Sequence, residues 1–224
     1  LADRMVIDTN SRISLSNNDL GSGGTDSTSG NTIFGYLAGE DITSGGVNNT
    51  LVGHGSGKNI TAGDFNTAIG LNALFTETVG NGSTAIGNGC LYTQAIGSDA
   101  DSFNVGIGYQ SGYTNATGTN NTYVGYRTGY GGTGNNSNNV GVGSNALRFI
   151  TTGEDNTALG VNAGYKITEG IGNVFIGNNC GDGVDAEDFN VAIGTGALGN
   201  SSSAIEGSVI IGYAACNGVS ALTT

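Results

Sequence analysis

Proline and tryptophan are absent from this 224-residue chain, and histidine occurs once, at His54. Without proline, no position is barred from donating its backbone N–H, which suits a molecule that pairs most of its backbone in ladders. Without a second histidine, and with no Gly-x-Ser-x-Gly element, a triad-type hydrolase has no support. Cysteine is scarce too: Cys90, Cys180 and Cys216 show no CxxC or Cys/His spacing, so nothing points to zinc. Cations are few, six Lys and Arg against 18 Asp and Glu, for a net charge of −12. An acidic surface repels phosphate, which excludes nucleic acid as a partner and argues against docking on anionic membranes. No apolar run is long enough to span a bilayer. No signal peptide is visible, and the chain begins at Leu1, from which a piece of a longer protein is expected.

What is abundant is glycine, at 43 residues, without the period of collagen. Apolar residues recur around it at fixed intervals, which argues against disorder. With glycine as the anchor, one element repeats at Gly35, Gly53, Gly70, Gly87, Gly97, Gly108, Gly125, Gly143, Gly160, Gly177, Gly194 and Gly212. The spacing is 17 or 18 residues, except for 10 and 11 on either side of Gly97. The residue before the anchor (position −1) is always apolar, from Phe34 to Ile211. Position −3 is Thr or Val in every copy except Gln94, and position −4 is usually Asn. Position +3 is always small, as in Ala38, Ser56, Cys90 and Cys180.

This pattern predicts an all-β parallel β-roll or β-solenoid with coils of about 17 residues, two short strands and two turns per coil, stacked into a rod. Side chains alternate along a strand, so −3 and −1 share one face, expected to point inward. Position −2 then points outward, and Ile33, Leu51, Phe175 and Ile210 there would need covering by threefold self-association. The −4 asparagines are expected to stack from coil to coil and satisfy backbone groups at a corner. The short spacings at Gly97 predict a narrowed coil. Residues 1–30 read as a leader with short strands at Met5–Ile7 and Ile13–Leu15 and a link at Gly21–Gly30; 31–216 is the repeat domain; 217–224 is a tail toward a further domain or cap.

The sequences at Asn66–Gly70, Asn190–Gly194 and Ser208–Gly212, each with a small residue three positions later, resemble head repeats of trimeric autotransporter adhesins. That resemblance implies left-handed parallel β-rolls assembled as trimers, although the adhesin repeat is shorter. The Asn/Thr/Gly-rich turns Tyr109–Gly118 and Gly129–Asn138, with the leader Asp3–Asp8 and Arg12–Ser16, resemble phage tail-fibre proteins more closely. The family implies a homotrimeric virion fibre that binds a host cell-surface glycan or protein receptor and joins other fibre or baseplate proteins. A bacterial adhesin head at the cell surface, and a capsule or lipopolysaccharide depolymerase, are the alternatives.

Of the side chains that could carry chemistry, Cys90 and Cys180 read as small buried fillers, and His54 as an exposed turn residue. The acids fall mainly in turns: Glu40 and Asp41, Asp99 and Asp101, Glu154 and Asp155, then Asp182, Asp185, Glu187 and Asp188. No catalytic residue, cofactor or metal is expected. Aligned threonines such as Thr50 and Thr67 raise ice binding, which Val in five copies argues against. A group of Tyr109, Tyr113, Tyr123, Tyr126, Tyr130 and Arg127 stands out. It reads as a packing ladder or, more sharply, as a flat glycan-binding platform.

Overall fold

The computed structural model describes residues 5–7, 13–15, 30–42, 45–97, 100–131, 135–199 and 205–218. The expected link at 21–29, Asp99 and the tail beyond 218 lie outside them. Strands β1 (Met5–Ile7) and β2 (Ile13–Leu15) pair antiparallel. The remaining strands are β3 (Thr32–Phe34), β4 (Thr50–Val52), β5 (Thr67–Ile69), β6 (Thr84–Ile86), β7 (Val105–Ile107), β8 (Thr122–Val124), β9 (Val140–Val142), β10 (Thr157–Leu159), β11 (Val174–Ile176), β12 (Val191–Ile193) and β13 (Val209–Ile211). They form one parallel 11-stranded sheet in strict chain order, each strand in register with the next. The fold is an all-β solenoid of about 17-residue coils.

Each coil carries one strand of three residues, not two. The opposite wall consists of turns, because positions +2 and +4 hold left-handed residues such as Asn72 (φ 52°) and Leu74 (φ 52°). Those residues reach neighbouring coils on opposite sides: Asn72 N–H donates to His54 C=O at 2.9 Å, and Leu74 N–H to Cys90 C=O at 2.9 Å. The turn wall is thus a hydrogen-bonded ladder without extended backbone.

The anchor glycines form a column. From Gly35 to Gly194 they hold φ between 130° and 141°, and an added Cβ would lie at most 2.6 Å from the carbonyl oxygen of the next anchor in the stack. Only glycine fits there. Gly97 is the exception: it stands outside the column and is not an anchor. It has open space around it, and β6 pairs directly with β7. The two short spacings are therefore one coil of 21 residues, from Gly87 to Gly108, which swells where a narrowed coil was expected.

The strand faces are the reverse of the expectation. Position −2 points into the bore: Leu51, Ala68, Ala85, Tyr123, Ala158, Phe175 and Ala192 are fully buried. Positions −3 and −1 point out, leaving Phe34, Ile69, Ile107, Leu159 and Ile211 exposed. The bore is narrow, so position −2 is matched by size to +4. Large Leu51, Tyr123 and Phe175 face Gly57, Gly129 and Gly181, while small Ala68, Ala85, Gly141 and Ala192 face Leu74, Leu91, Leu147 and Leu198. A Cβ on Gly57 would come 2.7 Å from Leu51 Cδ2. Where both positions are small, as at Ala158 and Gly164, Leu147 and Phe175 from adjacent coils fill the space.

The −4 asparagines behave as expected. Each Oδ1 accepts the backbone N–H of the residue one coil on, an Asn except where Asn66 and Asn190 receive Ser83 and Ser208, and each Nδ2 donates to a turn carbonyl of the next coil. Asn139 Oδ1 accepts from Asn156 N at 3.0 Å, and Asn139 Nδ2 donates to Gly153 O at 2.9 Å. Cys90 and Cys180 are free and buried at +3. The apolar interior is split into two clusters, one spanning Ala38 to Leu91 and the other Tyr123 to Ile210. Between them the coil of β7 contributes polar or minimal groups: Asn104, Gly106, Ser111, Gly112 and Asn115.

Candidate functional site

Eleven stacked coils convert any residue offset from the anchor into a straight column, so a side-chain ladder needs only the same residue type at the same offset. Offset +5 carries such a ladder. Phe75 stacks on Tyr92 (centroids 5.1 Å apart, planes at 1°), Tyr92 on Tyr113 (5.0 Å, 9°) and Tyr113 on Tyr130 (5.4 Å, 17°). These separations suit offset stacking. Cations continue the column at both ends. Lys58 Nζ lies 5.7 Å from the Phe75 ring, and the Arg148 guanidinium 5.9 Å from Tyr130. Arg148 also lies 5.9 Å from Tyr165 and 5.5 Å from Phe149, whose rings meet edge to face at 5.1 Å.

A second, shorter ladder stands at +1, where Tyr109 and Tyr126 stack at 5.6 Å. Arg127 joins the two. Its guanidinium lies 5.3 Å from Tyr126, 5.3 Å from Tyr130 and 6.0 Å from Tyr109, and its Nε donates to Gln110 Oε1 at 2.9 Å. His54 occupies the same +1 column, exposed and edge-on to Tyr36 at 5.3 Å.

Five of the six residues expected here share one strip: Tyr109, Tyr113, Tyr126, Arg127 and Tyr130. Tyr123 does not. It occupies −2, wholly inside the bore, and its hydroxyl hydrogen-bonds Asn136 Oδ1 at 2.7 Å. Burial drives its phenol pKa far upward. The rings stack face to face along the coil axis, the arrangement of the packing ladder. Burial, and the neighbouring Tyr92, Tyr130 and Tyr109, raise the Tyr113 phenol pKa. Sequence reading missed Phe75, Tyr92, Arg148 and Lys166, although their offsets from the anchors hold the signal.

Beside the ladder lies a groove of about 450 Å³, lined by Tyr130, Phe149, Thr168, Lys166 and Asp185 among others. The turn acids expected to be solvated are exposed at Glu40, Asp41, Asp101, Glu154, Asp155 and Asp185. Among the described residues no three His, Cys, Asp or Glu side chains gather as a metal-binding group. Among the described residues the one deeply buried carboxylate, Glu77, is tied down by protein donors. Its Oε1 accepts from Thr78 N at 2.9 Å and Gly80 N at 2.8 Å, and its Oε2 from Gln94 Nε2 at 2.9 Å. Gln94 also meets Ser83, Ser102 and Asn104, filling the gap where serine interrupts the asparagine column. That network is structural wiring. No known protein family, curated protein or solved structure matches this chain.

Proposed function

We propose that the chain is a structural and receptor-binding segment of a viral tail or head fibre, assembled as a homotrimer of left-handed parallel solenoids. The observation that carries this reading is the outward sheet face. Eleven rungs present Thr or Val at −3 and Ile, Val, Leu or Phe at −1. At the ends of the sheet Phe34 is 62% and Ile211 66% exposed. Ten intervals of ~4.8 Å make the face about 48 Å long. Three-residue strands rising ~3.3 Å per residue make it about 10 Å wide, for an area on the order of 500 Å². A contiguous apolar patch of that size commonly marks an interaction surface. Six threonines at −3 would suit ordered water, but the other five rungs carry valine and the −1 column is aliphatic or aromatic throughout, which favours a second copy. The threefold number, the handedness and the virion location come from the adhesin-head and tail-fibre resemblance of the repeat. In such a trimer the turns face outward, free to touch a host surface.

Native mass measurement is expected to give three chains. Ile176→Glu with Ile193→Glu, both outward, is expected to give monomers that keep a β-type circular-dichroism spectrum. A monomeric unsubstituted chain refutes the assembly. Immunogold label along virion fibres is expected; label confined to a bacterial envelope favours the adhesin head instead.

A further inference from the structure

The chain is strongly acidic, yet all four basic residues among the described ones, Lys58, Arg127, Arg148 and Lys166, lie along a single strip beside the aromatic ladder. Scattered cations on a surface with a threefold excess of acids would meet carboxylates. Among the described residues only Lys58 does, at 3.3 Å from Glu40. Arg127 and Arg148 are held among rings, which fix a guanidinium without neutralising it. Arg148 Nε is buried and without a hydrogen-bond partner among the described residues. Lys166 lines the groove, with an apolar floor at Tyr130 and Phe149.

We propose that this strip binds an acidic polysaccharide, one bearing carboxylate or sulfate groups, laid along the solenoid axis with a sugar seated in the Tyr130–Phe149–Lys166 groove. The inference rests on the receptor-binding reading above and names its ligand class. Arg127, Arg148 and Lys166, which follow one another along the stack and meet only neutral hydrogen-bond partners or rings among the described residues, match anionic groups at intervals along a chain, and the aromatic edges and tyrosine hydroxyls face the sugar ring atoms and hydroxyls. Single-stranded nucleic acid fits worse. Its bases bind by stacking on open ring faces, and these faces are taken. Its dense phosphate charge also meets the field of an acidic protein. Asp185, on the groove wall, sets a limit of the same kind, disfavouring a ligand with charge on every side.

The test is binding of the intact chain, by interferometry, to four immobilised polymers: a polyuronate, a sulfated glucan, neutral dextran and poly(dT). Binding to at least one acidic glycan is expected, weaker by about tenfold or more on dextran and falling as salt rises from about 50 to about 300 mM. Lys166→Gln, exposed and free of packing duties, is expected to weaken it severalfold, and Arg127→Gln with Arg148→Gln further, with the β spectrum unchanged. Equal binding to dextran overturns the acidic-ligand inference and leaves a glycan receptor standing. Preference for poly(dT) overturns the ligand class. Absence of binding to all four overturns the inference, and if the chain still adheres to host cells the receptor-binding reading survives with a protein receptor.

Discussion

Replacing Asn156 with alanine tests the asparagine column at its most regular point. Asn156 is fully buried. Its Oδ1 accepts from the Asn173 backbone N–H at 3.0 Å and from Asn173 Nδ2 at 3.0 Å; its Nδ2 donates to Gly170 C=O at 2.7 Å and to Asn139 Oδ1 at 3.1 Å. Two neighbours can absorb the loss. Asn173 Nδ2 still reaches Glu187 C=O at 2.8 Å, and Asn139 Oδ1 still receives the residue-156 N–H at 3.0 Å. The Asn173 N–H and the Gly170 C=O cannot, because both are buried and the Asn156 side chain is their hydrogen-bond partner. An orphaned buried group costs about 1–3 kcal/mol, so N156A is expected to lose about 2–6 kcal/mol. Urea denaturation read by circular dichroism measures that loss. Hydrogen exchange at the Asn173 amide locates it, since protection there should fall more than at Val174. Exposed Glu154→Ala serves as the control, expected to change stability by less than about 0.5 kcal/mol. A loss under about 1 kcal/mol for N156A would show that water or local relaxation replaces the ladder, and would refute the reasoning.

Two further outcomes follow from the bore and from the thiols. Gly181→Ala places a Cβ 2.6 Å from Phe175 Cε1 at φ 61° and is expected to cost about 1–3 kcal/mol. Phe175→Ala should relieve the clash but not the backbone strain, so the double mutant should cost less than the sum of the singles, and strict additivity would sink the size-matching argument. Burial pushes the Cys90 thiol up to about 12 and the Cys180 thiol up to about 11, from 9.0. A raised folded-state pKa means that their contribution to stability is complete below about pH 9 and is lost as pH rises through 11 and 12. The denaturation midpoint should decline over that range, less steeply in Cys90→Ala with Cys180→Ala; an unchanged slope in the double variant refutes it.

The rung itself was legible because glycine spacing is a one-dimensional signal that survives coiling. Which face points inward was not legible from period-two alternation, since both −1 and −2 can be apolar. The deciding pattern lay six residues away: Tyr123 with Gly129, Phe175 with Gly181, Ala68 with Leu74. Such pairing by size makes sense only for side chains sharing a narrow interior. Gln94 was the misfit that marked Gly97 as no anchor, for it lies at +7 of its coil, where Ile60, Ile150 and Ile167 supply core in other coils. In the tyrosine group, nearness in sequence drew in Tyr123 and left out Tyr92; sorting by offset from the anchor separates them.

The coil of β7 adds no apolar side chain of its own to the interior, so the two oily blocks are joined there only by Leu91 and Tyr123, which reach over Gly112 from the adjacent coils. Nearest-neighbour coupling carries cooperativity along a stacked-coil protein, so it is weakest there. Heat or pulling force along the axis should part the rod at that seam, melting it as two segments.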